Sequence, residues 1–573
     1  MAFLGARVQL ALLALAMLLH GAASAKKPHI ITIMIDDWGY NNWGVHAKDE
    51  ANSREVRTPS LDALANVGIV LDRHYAAPLC TPSRAAFQTG RNPMHVIAVN
   101  GDAARYNPAD PVSGFDGIPT AMTGIASKMA SAGYNTHFLG KWHIGYASRL
   151  QLPKARGYKK SLAYLCSGNK YWTYEAQFGI CGAGAGPTLT DLWQDDGPAI
   201  DLKPAAGCAN GQANCVYEDE LLEQRATQWI KAHDASEPLF MVYAPHALHS
   251  PLDPPAARVA DFAFIKQWSR QMYAATLADI DMRIGRIIQT VKDKGLWDNA
   301  LILVMSDNGG PISVEGGASN FPLRGGKYGN FEGGVRTNAF VSGGFVPAAQ
   351  RGTTVDGFVA VEDWFSTFCA LAGVDPTDTK AQKAGLPPID SINVWPYLSG
   401  LMNTSPRKEI ILANTNKDAN GTKVQGIIDQ QGNKLLAGMI RNAVNSPAIN
   451  PTGTQNDLPK LDCGPPGDPR YPYDGACLFN VFSDPSELTN IAAQKPAVVA
   501  RLAERLKAIQ ATAFSAERGD APNDKPSGLP CQSALRNLSG FEGPWLDMPF
   551  STKPRPVAAG AAMAASDPSQ AEL

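Results

Sequence analysis

The segment Leu79-Cys80-Thr81-Pro82-Ser83-Arg84-Ala85-Ala86-Phe87-Gln88-Thr89-Gly90-Arg91 brings a thiol, a fixed cation and a helix start into one short stretch. Pro82 has no N–H and a helix-compatible φ, Thr81 can cap and Gly90 can stop the helix, so Cys80 is expected at a helix N-terminus. Unpaired backbone N–H groups and the positive dipole end favour an anion there, and Arg84, one turn on, adds a forked donor. An anionic group is therefore expected to dock beside Cys80. The plain alternative is a buried cysteine ahead of an ordinary capped helix.

Five further stretches carry reactive side chains. His29–Ile35 is an unbroken β-branched and apolar run, expected as a strand buried on both faces of a parallel sheet, and it ends in Asp36-Asp37-Trp38-Gly39. Paired carboxylates at the carboxyl end of such a strand lie where open α/β sheets bind ligands, although solvated turn acids are the commoner origin of an Asp pair. Residues 135–139 are expected as a short strand leading into Gly140-Lys141-Trp142-His143-Ile144-Gly145, where Lys141 and His143, two apart on extended chain, would point to one side. Leu239–Ala244 is a further strand candidate, followed by His246 and His249, either of which could donate a proton. Residues 300–305 repeat the logic of the first strand and end in Ser306-Asp307-Asn308-Gly309-Gly310. Lys327 follows Arg324-Gly325-Gly326, where glycines let backbone approach a ligand closely.

The elements that must position these groups follow from periodicity. Residues 120–132, 218–232 and 267–294 have helical spacing, whereas 160–217 are rich in Gly, Tyr, Trp and Cys with little period and are expected as long loops. From about residue 401 the pattern changes. Short strands are expected at 409–413, 426–429, 434–437 and 478–482, then a helix over 496–511. This divides the chain into a leader (1–25), a main domain (26–400), a C-terminal subdomain (401–520) and a Pro/Ala/Ser-rich irregular tail (521–573) whose end is expected to be disordered.

Cys80-Thr-Pro-Ser-Arg84 followed by Thr89-Gly90-Arg91 resembles the signature of the type I sulfatases, in which the cysteine is oxidised by a separate enzyme to Cα-formylglycine. The other boxes fall in the family's order between about residues 28 and 515: Asp-Asp-x-Gly from Asp36, Gly-Lys-Trp-His-x-Gly from Gly140, His-x-Pro-Leu from His249, and Gly-Lys…Glu-Gly-Gly-x-Arg from Gly326. Around Lys141, Leu152-Pro153, Arg156-Gly157-Tyr158 and Tyr164-Leu165 the chain is similar to arylsulfatase B (N-acetylgalactosamine-4-sulfatase)-like members.

The resemblance implies an α/β fold: an alkaline-phosphatase-like sandwich with a large mixed, mostly parallel sheet flanked by helices, plus a smaller C-terminal subdomain with a short antiparallel sheet and helix. It implies hydrolysis of a sulfate monoester of an aryl alcohol or a sugar, with the hydrated aldehyde at position 80 as nucleophile. Lys141 and Lys327 are then assigned to the sulfate oxygens, His143 to the formylglycine hydroxyl, His249 rather than His246 to the leaving group, Asp307 to a base role, and Arg84 to holding residue 80. Asp36, Asp37, Asp307 and Asn308, with the modified Cys80, form a hard oxygen set without the ligands zinc usually takes, which favours calcium, with magnesium second. The implied partners are a sulfated small molecule or glycan and, during maturation, the formylglycine-generating enzyme. Two other readings stay open: a phosphate or phosphonate monoester hydrolase of the same superfamily, and a non-catalytic sulfated-glycan-binding protein whose Cys80 stays a thiol.

Composition bounds the rest. With 573 residues, 45% hydrophobic and 18% charged, the chain is globular and long enough for a large core. A net charge of −2 gives no general field for nucleic acid or anionic membrane, so anion recognition must be local. Arg7, an apolar run over 8–19 and Ala23-Ser24-Ala25 read as a cleaved secretory signal, the run being short for a bilayer span, so export to an extracellular, periplasmic or lysosomal compartment without stable membrane insertion is expected. Nine cysteines become eight if Cys80 is modified, with Cys208/Cys215, Cys463/Cys477 and Cys166/Cys181 as near pairs. Asn403, Asn420 and Asn537 begin glycosylation sequons.

Overall fold

The protein is described as a computed structural model covering residues 26–48, 54–181, 186–413, 424–444, 453–454, 457–464, 476–516, 518 and 528–546. The expected leader, the sequon at Asn420 and the end of the tail lie outside the described residues. Four strands form the centre of a ten-stranded sheet: β1 (His29–Ile35), β2 (Asn135–Lys141), β3 (Leu239–Ala244) and β4 (Ala300–Ser306). They lie side by side in the order β4-β1-β3-β2 and run parallel, with Thr32 level with Val242 and Leu303.

These strands are apolar throughout because both faces are covered. Alternate residues of β1 enter opposite cores. Ile30 and Met34 pack on the side of helix α1 (Cys80–Thr89), and Ile31, Ile33 and Ile35 on the side of α2 (Glu218–Ala232) and α3 (Trp268–Asp293). Beyond β2 the parallel run continues into Lys160–Tyr164, a strand inside the stretch expected as loop; all but Lys160 are buried, which gives no period to detect. Trp193–Gln194 and Gly197–Pro198 close that edge antiparallel, and Ala339–Ser342 pairs antiparallel with β4 on the other side. The sheet is thus mixed, mostly parallel and flanked by helices.

The C-terminal part forms a separate antiparallel sheet of Glu409–Ala413, Val424–Asp429, Asn433–Leu436 and Cys477–Asn480. The helix Pro496–Gln510 packs on it through Val499, Leu502, Leu506 and Ile509. The helix expected over 120–132 forms only over Ile125–Ser131.

Two expectations are corrected. Residues 528–546, assigned to an irregular tail, carry the helix Leu529–Asn537 with Cys531 and Ala534 buried in the main core; the Pro- and Ala-rich neighbours hid it. Cys181 pairs with Cys531, 350 residues away, and not with Cys166. Cys166 stays reduced and buried, its Sγ 3.1 Å from the Tyr146 hydroxyl. Cys208–Cys215 and Cys463–Cys477 are bridged. Among the described residues, no helix is long and apolar enough to cross a membrane.

Candidate active site

Ile35 of β1 lies opposite Ser306 of β4, so the residues just past each strand, Asp36-Asp37 and Asp307-Asn308, meet at the carboxyl edge of the sheet. Helix α1 begins at the same place. Leu79 is extended, Cys80 is the first helical residue, and Gly90 ends the helix in the left-handed region at φ 65°. Thr81 does not cap: its hydroxyl donates to the His143 carbonyl at 2.8 Å and ties the start of α1 to the end of β2.

The cluster alternates charge. Asp36 Oδ1 lies 3.6 Å from Cys80 Sγ, and Asp36 Oδ2 accepts from Lys141 Nζ at 2.5 Å. Lys327 Nζ donates to Asp37 Oδ2 at 2.9 Å. Arg84 directs Nε and Nη2 to Asp307 Oδ2 at 3.0 and 2.8 Å and Nη1 to the Lys141 carbonyl at 3.1 Å. Arg84 therefore ties Asp307 to the end of β2 from the helix that carries Cys80. Asp36 Oδ1 is the carboxylate oxygen beside the Cys80 thiol, and Asp307 Oδ2 is engaged by Arg84.

His143 reaches the site through a left-handed residue, φ 48°, and not through strand alternation, and its Nδ1 is buried without a hydrogen-bond partner. His249 Nδ1 donates to the Ser250 carbonyl at 2.7 Å, which leaves Nε2 for the cavity. A ring nitrogen of His249, Cys80 Sγ and an Asp36 oxygen all lie within 4.8 Å of one another. His246 sits behind, with Nδ1 2.8 Å from Glu218 Oε2 and its ring stacked on Tyr171 at 3.8 Å.

Electrostatics separate these groups. Burial opposes ionisation of Asp36, but Lys141, His249, Arg84 and Lys327 outweigh it and hold the carboxyl well below its usual range. Burial, then the Asp36 charge, push Asp307 up to about 6. Burial and the lysines press His143 and His249 well below the ordinary imidazole range. Burial and Asp36 push the Cys80 thiol far up, so as a thiol it is protonated and a poor nucleophile.

Oxygens of Asp36, Asp37 and Asp307 lie within 4.8 Å of one another. Asn308 Nδ2 uses both hydrogens, to Asp37 Oδ1 at 2.7 Å and the Gly309 carbonyl at 2.9 Å, while Asn308 Oδ1 is buried with no donor. An orphan acceptor among three carboxylates fits a hard divalent cation. The alternative grouping of Asp36, Cys80 and His249 depends on a thiol that burial keeps protonated.

Sequence reasoning missed the supports. Tyr273 donates to the Asp37 carbonyl at 2.8 Å, Asn100 Oδ1 accepts from the Thr81 amide at 3.2 Å, and Asp219 accepts the amides of His246 and Ala247 at 2.9 and 3.1 Å. Glu218 and Asp219 carry no separate signal, because acids in a first helical turn are ordinary dipole partners. Above the cluster opens a cavity of about 690 Å³ lined by His143, His249, Lys327, Tyr146, Phe178 and Trp268.

The Sulfatase family profile matches residues 28–374. Arylsulfatase J of Mus musculus is 30% identical over 546 residues, covering 92% of this chain and 81% of its own. N-acetylgalactosamine-6-sulfatase of Homo sapiens is 30% identical over 385 residues, 66% of this chain and 67% of that one. The crystal structure of Ps i-CgsB in complex with k-i-k-neocarrahexaose superposes with a TM-score of 0.63 at 26% identity, covering 86% of this chain and 94% of that chain. The fold is alkaline-phosphatase-like, a large mixed, mostly parallel sheet with helices plus small C-terminal antiparallel sheets. On the extent of these matches, the chain belongs to the sulfatase family and is a sulfuric ester hydrolase.

Proposed function

We propose that this enzyme hydrolyses sulfate monoesters with a hydrated Cα-formylglycine made from Cys80 and a calcium ion held by Asp36, Asp37, Asp307 and Asn308, magnesium being the second choice. The observation that carries the reading is the thiol itself. A cysteine whose proton burial and Asp36 hold in place is wrong for nucleophilic work, yet it stands at a helix start beside two lysines, where an anion would dock. Its conversion to an aldehyde hydrate removes that contradiction.

A sulfate monoester is an anion that resists attack by another oxygen nucleophile, so the equatorial oxygens must be neutralised. Lys141 and Lys327 do this as preorganised charges. Calcium, when bound, supplies Lewis acidity toward the same oxygens. Arg84 keeps Asp307 and the β2 end in position. One hydroxyl of the hydrate at position 80 attacks sulfur in line as the ester S–O bond breaks, and Asp36 Oδ1 lies beside that position, 3.6 Å from the unmodified Cys80 Sγ. His249 gives its Nε2 proton to the departing alcohol oxygen. Burial first and then the two lysines depress its basicity, and a sulfate seated against the lysines offsets their part of that effect. His143 takes the proton of the second hydroxyl, which releases sulfate and restores the aldehyde. Three disulfides fit an oxidising, exported setting. The test is kcat/KM on p-nitrophenyl sulfate and p-nitrophenyl phosphate, with calcium present: faster turnover of the sulfate is expected, and preference for the phosphate overturns the reading.

A further inference from the structure

Part of the cavity wall is built from three stretches that are far apart in sequence, residues 101–103, 145–146 and 177–179. All three are fastened by one segment, residues 528–546, which lies outside the part of the chain that the Sulfatase profile matches. Trp545 donates its indole N–H to the Ala103 carbonyl at 2.9 Å, and the Trp545 and Leu546 amides both donate to the Ala147 carbonyl at 3.0 Å. Thr190 and Glu542 exchange backbone bonds across this segment: the Thr190 amide to the Gly540 carbonyl and the Glu542 amide to the Thr190 carbonyl, each at 2.9 Å. Cys531 bridges to Cys181, two residues from Gly179.

Glu542 is the point where this segment reaches the wall. Its side chain is buried; Oε2 accepts from the Tyr146 hydroxyl at 2.8 Å and Oε1 from the Ile180 amide at 3.2 Å. The approach is so close that a Cβ on Gly179 would lie 1.9 Å from Glu542 Oε1. Two residues before Ile180, Phe178 lines the cavity and is 38% exposed, an unusual state for an aromatic that has a core available. Trp268, at the first turn of α3, faces the same cavity and is 63% exposed. Exposed aromatic faces beside a polar cleft suit the apolar face of a pyranose ring. A cavity of about 690 Å³ also exceeds what one sulfated ring needs.

We infer that residues 528–546 form a strap that shapes the leaving-group side of the cleft for a sulfated oligosaccharide, with Glu542 as its positioning residue and Phe178 and Trp268 as the surfaces that meet the sugar next to the sulfated one. This rests on the sulfate-ester reading above. It separates recognition from chemistry: the strap touches no member of the Asp36–Cys80–Lys141 cluster, so its loss acts on substrates long enough to reach the wall.

The experiment compares p-nitrophenyl sulfate with the sulfated tetrasaccharide turned over fastest among galactose-, N-acetylgalactosamine- and glucosamine-based sulfates, using the full-length calcium-loaded enzyme. Glu542→Ala is expected to raise KM for the tetrasaccharide about tenfold with kcat within about twofold. Glu542→Gln, which keeps the size and a single acceptor oxygen for the Tyr146 hydroxyl or the Ile180 amide, is expected to restore part of it. Phe178→Ala, which is exposed and leaves the strap intact, is expected to raise the same KM. Cys181→Ser with Cys531→Ser serves as a second route to a loosened strap should Glu542→Ala not fold. An unchanged tetrasaccharide KM in Glu542→Ala and Phe178→Ala, or equal losses on both substrates, overturns the inference. Turnover of p-nitrophenyl sulfate with none of the tetrasaccharides also overturns it while the sulfate-ester reading stands. Failure to hydrolyse any sulfate ester instead overturns that reading.

Discussion

Arg84 and Arg91 lie on one motif, both are buried and both face a carboxylate, yet their surroundings differ in kind. Arg91 is closed. It donates to Asp378 Oδ2 at 3.0 Å, the Pro387 carbonyl at 2.8 Å and the Thr89 carbonyl at 3.1 Å, and Asp378 is completed by the Thr123 hydroxyl at 2.7 Å and the Ala381 amide at 3.1 Å. Arg84 belongs to an open cluster: Asp36, Asp37 and Asp307 against Arg84, Lys141 and Lys327, with Asn308 Oδ1 and His143 Nδ1 buried and unfilled. Desolvated charges stabilise a fold only when their remaining polar atoms are satisfied. Arg91 meets that condition and holds two loops together; the Arg84 cluster leaves capacity unused, which is what a binding site does.

The largest break in this comparison is at the nucleophile. Cys80→Ala is expected to lower aryl sulfate turnover by roughly 10⁴-fold or more while the circular dichroism spectrum and Tm stay near wild type. Near-normal turnover in the purified variant would end the proposed mechanism. Chelation comes next. Removing calcium leaves Asp36, Asp37 and Asp307 to repel one another, so activity and Tm should both fall, by about 4 kcal/mol of stability if the ion was at 1,000 times its Kd. Exhaustive chelation that changes neither, or zinc recovered at one per chain, contradicts the ligand set.

The two arginines themselves sharpen the contrast. Arg91→Ala strands Asp378 in the core and should cost roughly 3–5 kcal/mol of stability with kcat per folded molecule unchanged. Arg84→Ala should lower kcat/KM by roughly 10²-fold with a smaller loss of Tm in saturating calcium. Exchanged outcomes would mean that the open cluster is structural.

How much of this was legible follows the same division. Groups fixed by one strand end or one helix start, such as Asp36, Asp37, Asp307, Asn308 and Cys80, could be found because a buried parallel strand has a strong local pattern and its end is marked by the switch to polar residues. The supports could not. Asp219 caps the chain at His246 from another element, and Glu542 reaches Tyr146 across nearly 400 residues of sequence, with a separation of 396. Tertiary placement of that kind has no period. His143 was located by its box, but its left-handed backbone was not foreseen, since only glycine and asparagine advertise that conformation in sequence. The Cys181–Cys531 bridge escaped for a similar reason: sequence proximity favoured Cys166, which the fold turns toward Tyr146.

The histidines offer a finer break. His249→Ala should slow a sugar sulfate by roughly 10²-fold and a nitrophenyl sulfate far less, because proton donation matters most when the alkoxide leaves badly. His246→Ala should affect both modestly and alike, as its ring is held against Glu218 and Tyr171 behind the wall. Selective loss in His246→Ala would reverse the assignment.

The smallest effect concerns Glu542. Burial, then Asp191, raise it from 4.5 to about 8, and Asp191, Cys166 and Tyr146 face it. Between those two values the folded chain keeps a proton that the unfolded chain has lost, so this group's contribution to stability is full below about pH 4.5 and fades as pH rises toward 8. Glu542→Gln has no such proton, and the Tm gap between variant and wild type should shift by a few degrees in the variant's favour over that window. Parallel Tm curves would show that Glu542 is ionised in the folded protein at neutral pH.

The most direct test is the mass of the tryptic peptide from His74 to Arg84 in an active preparation. Conversion of Cys80 to formylglycine replaces S–H and one H by O, so the peptide is expected about 18 Da below the cysteine form and inert to thiol alkylation. A fully active enzyme whose residue 80 is quantitatively alkylated as cysteine would contradict the account.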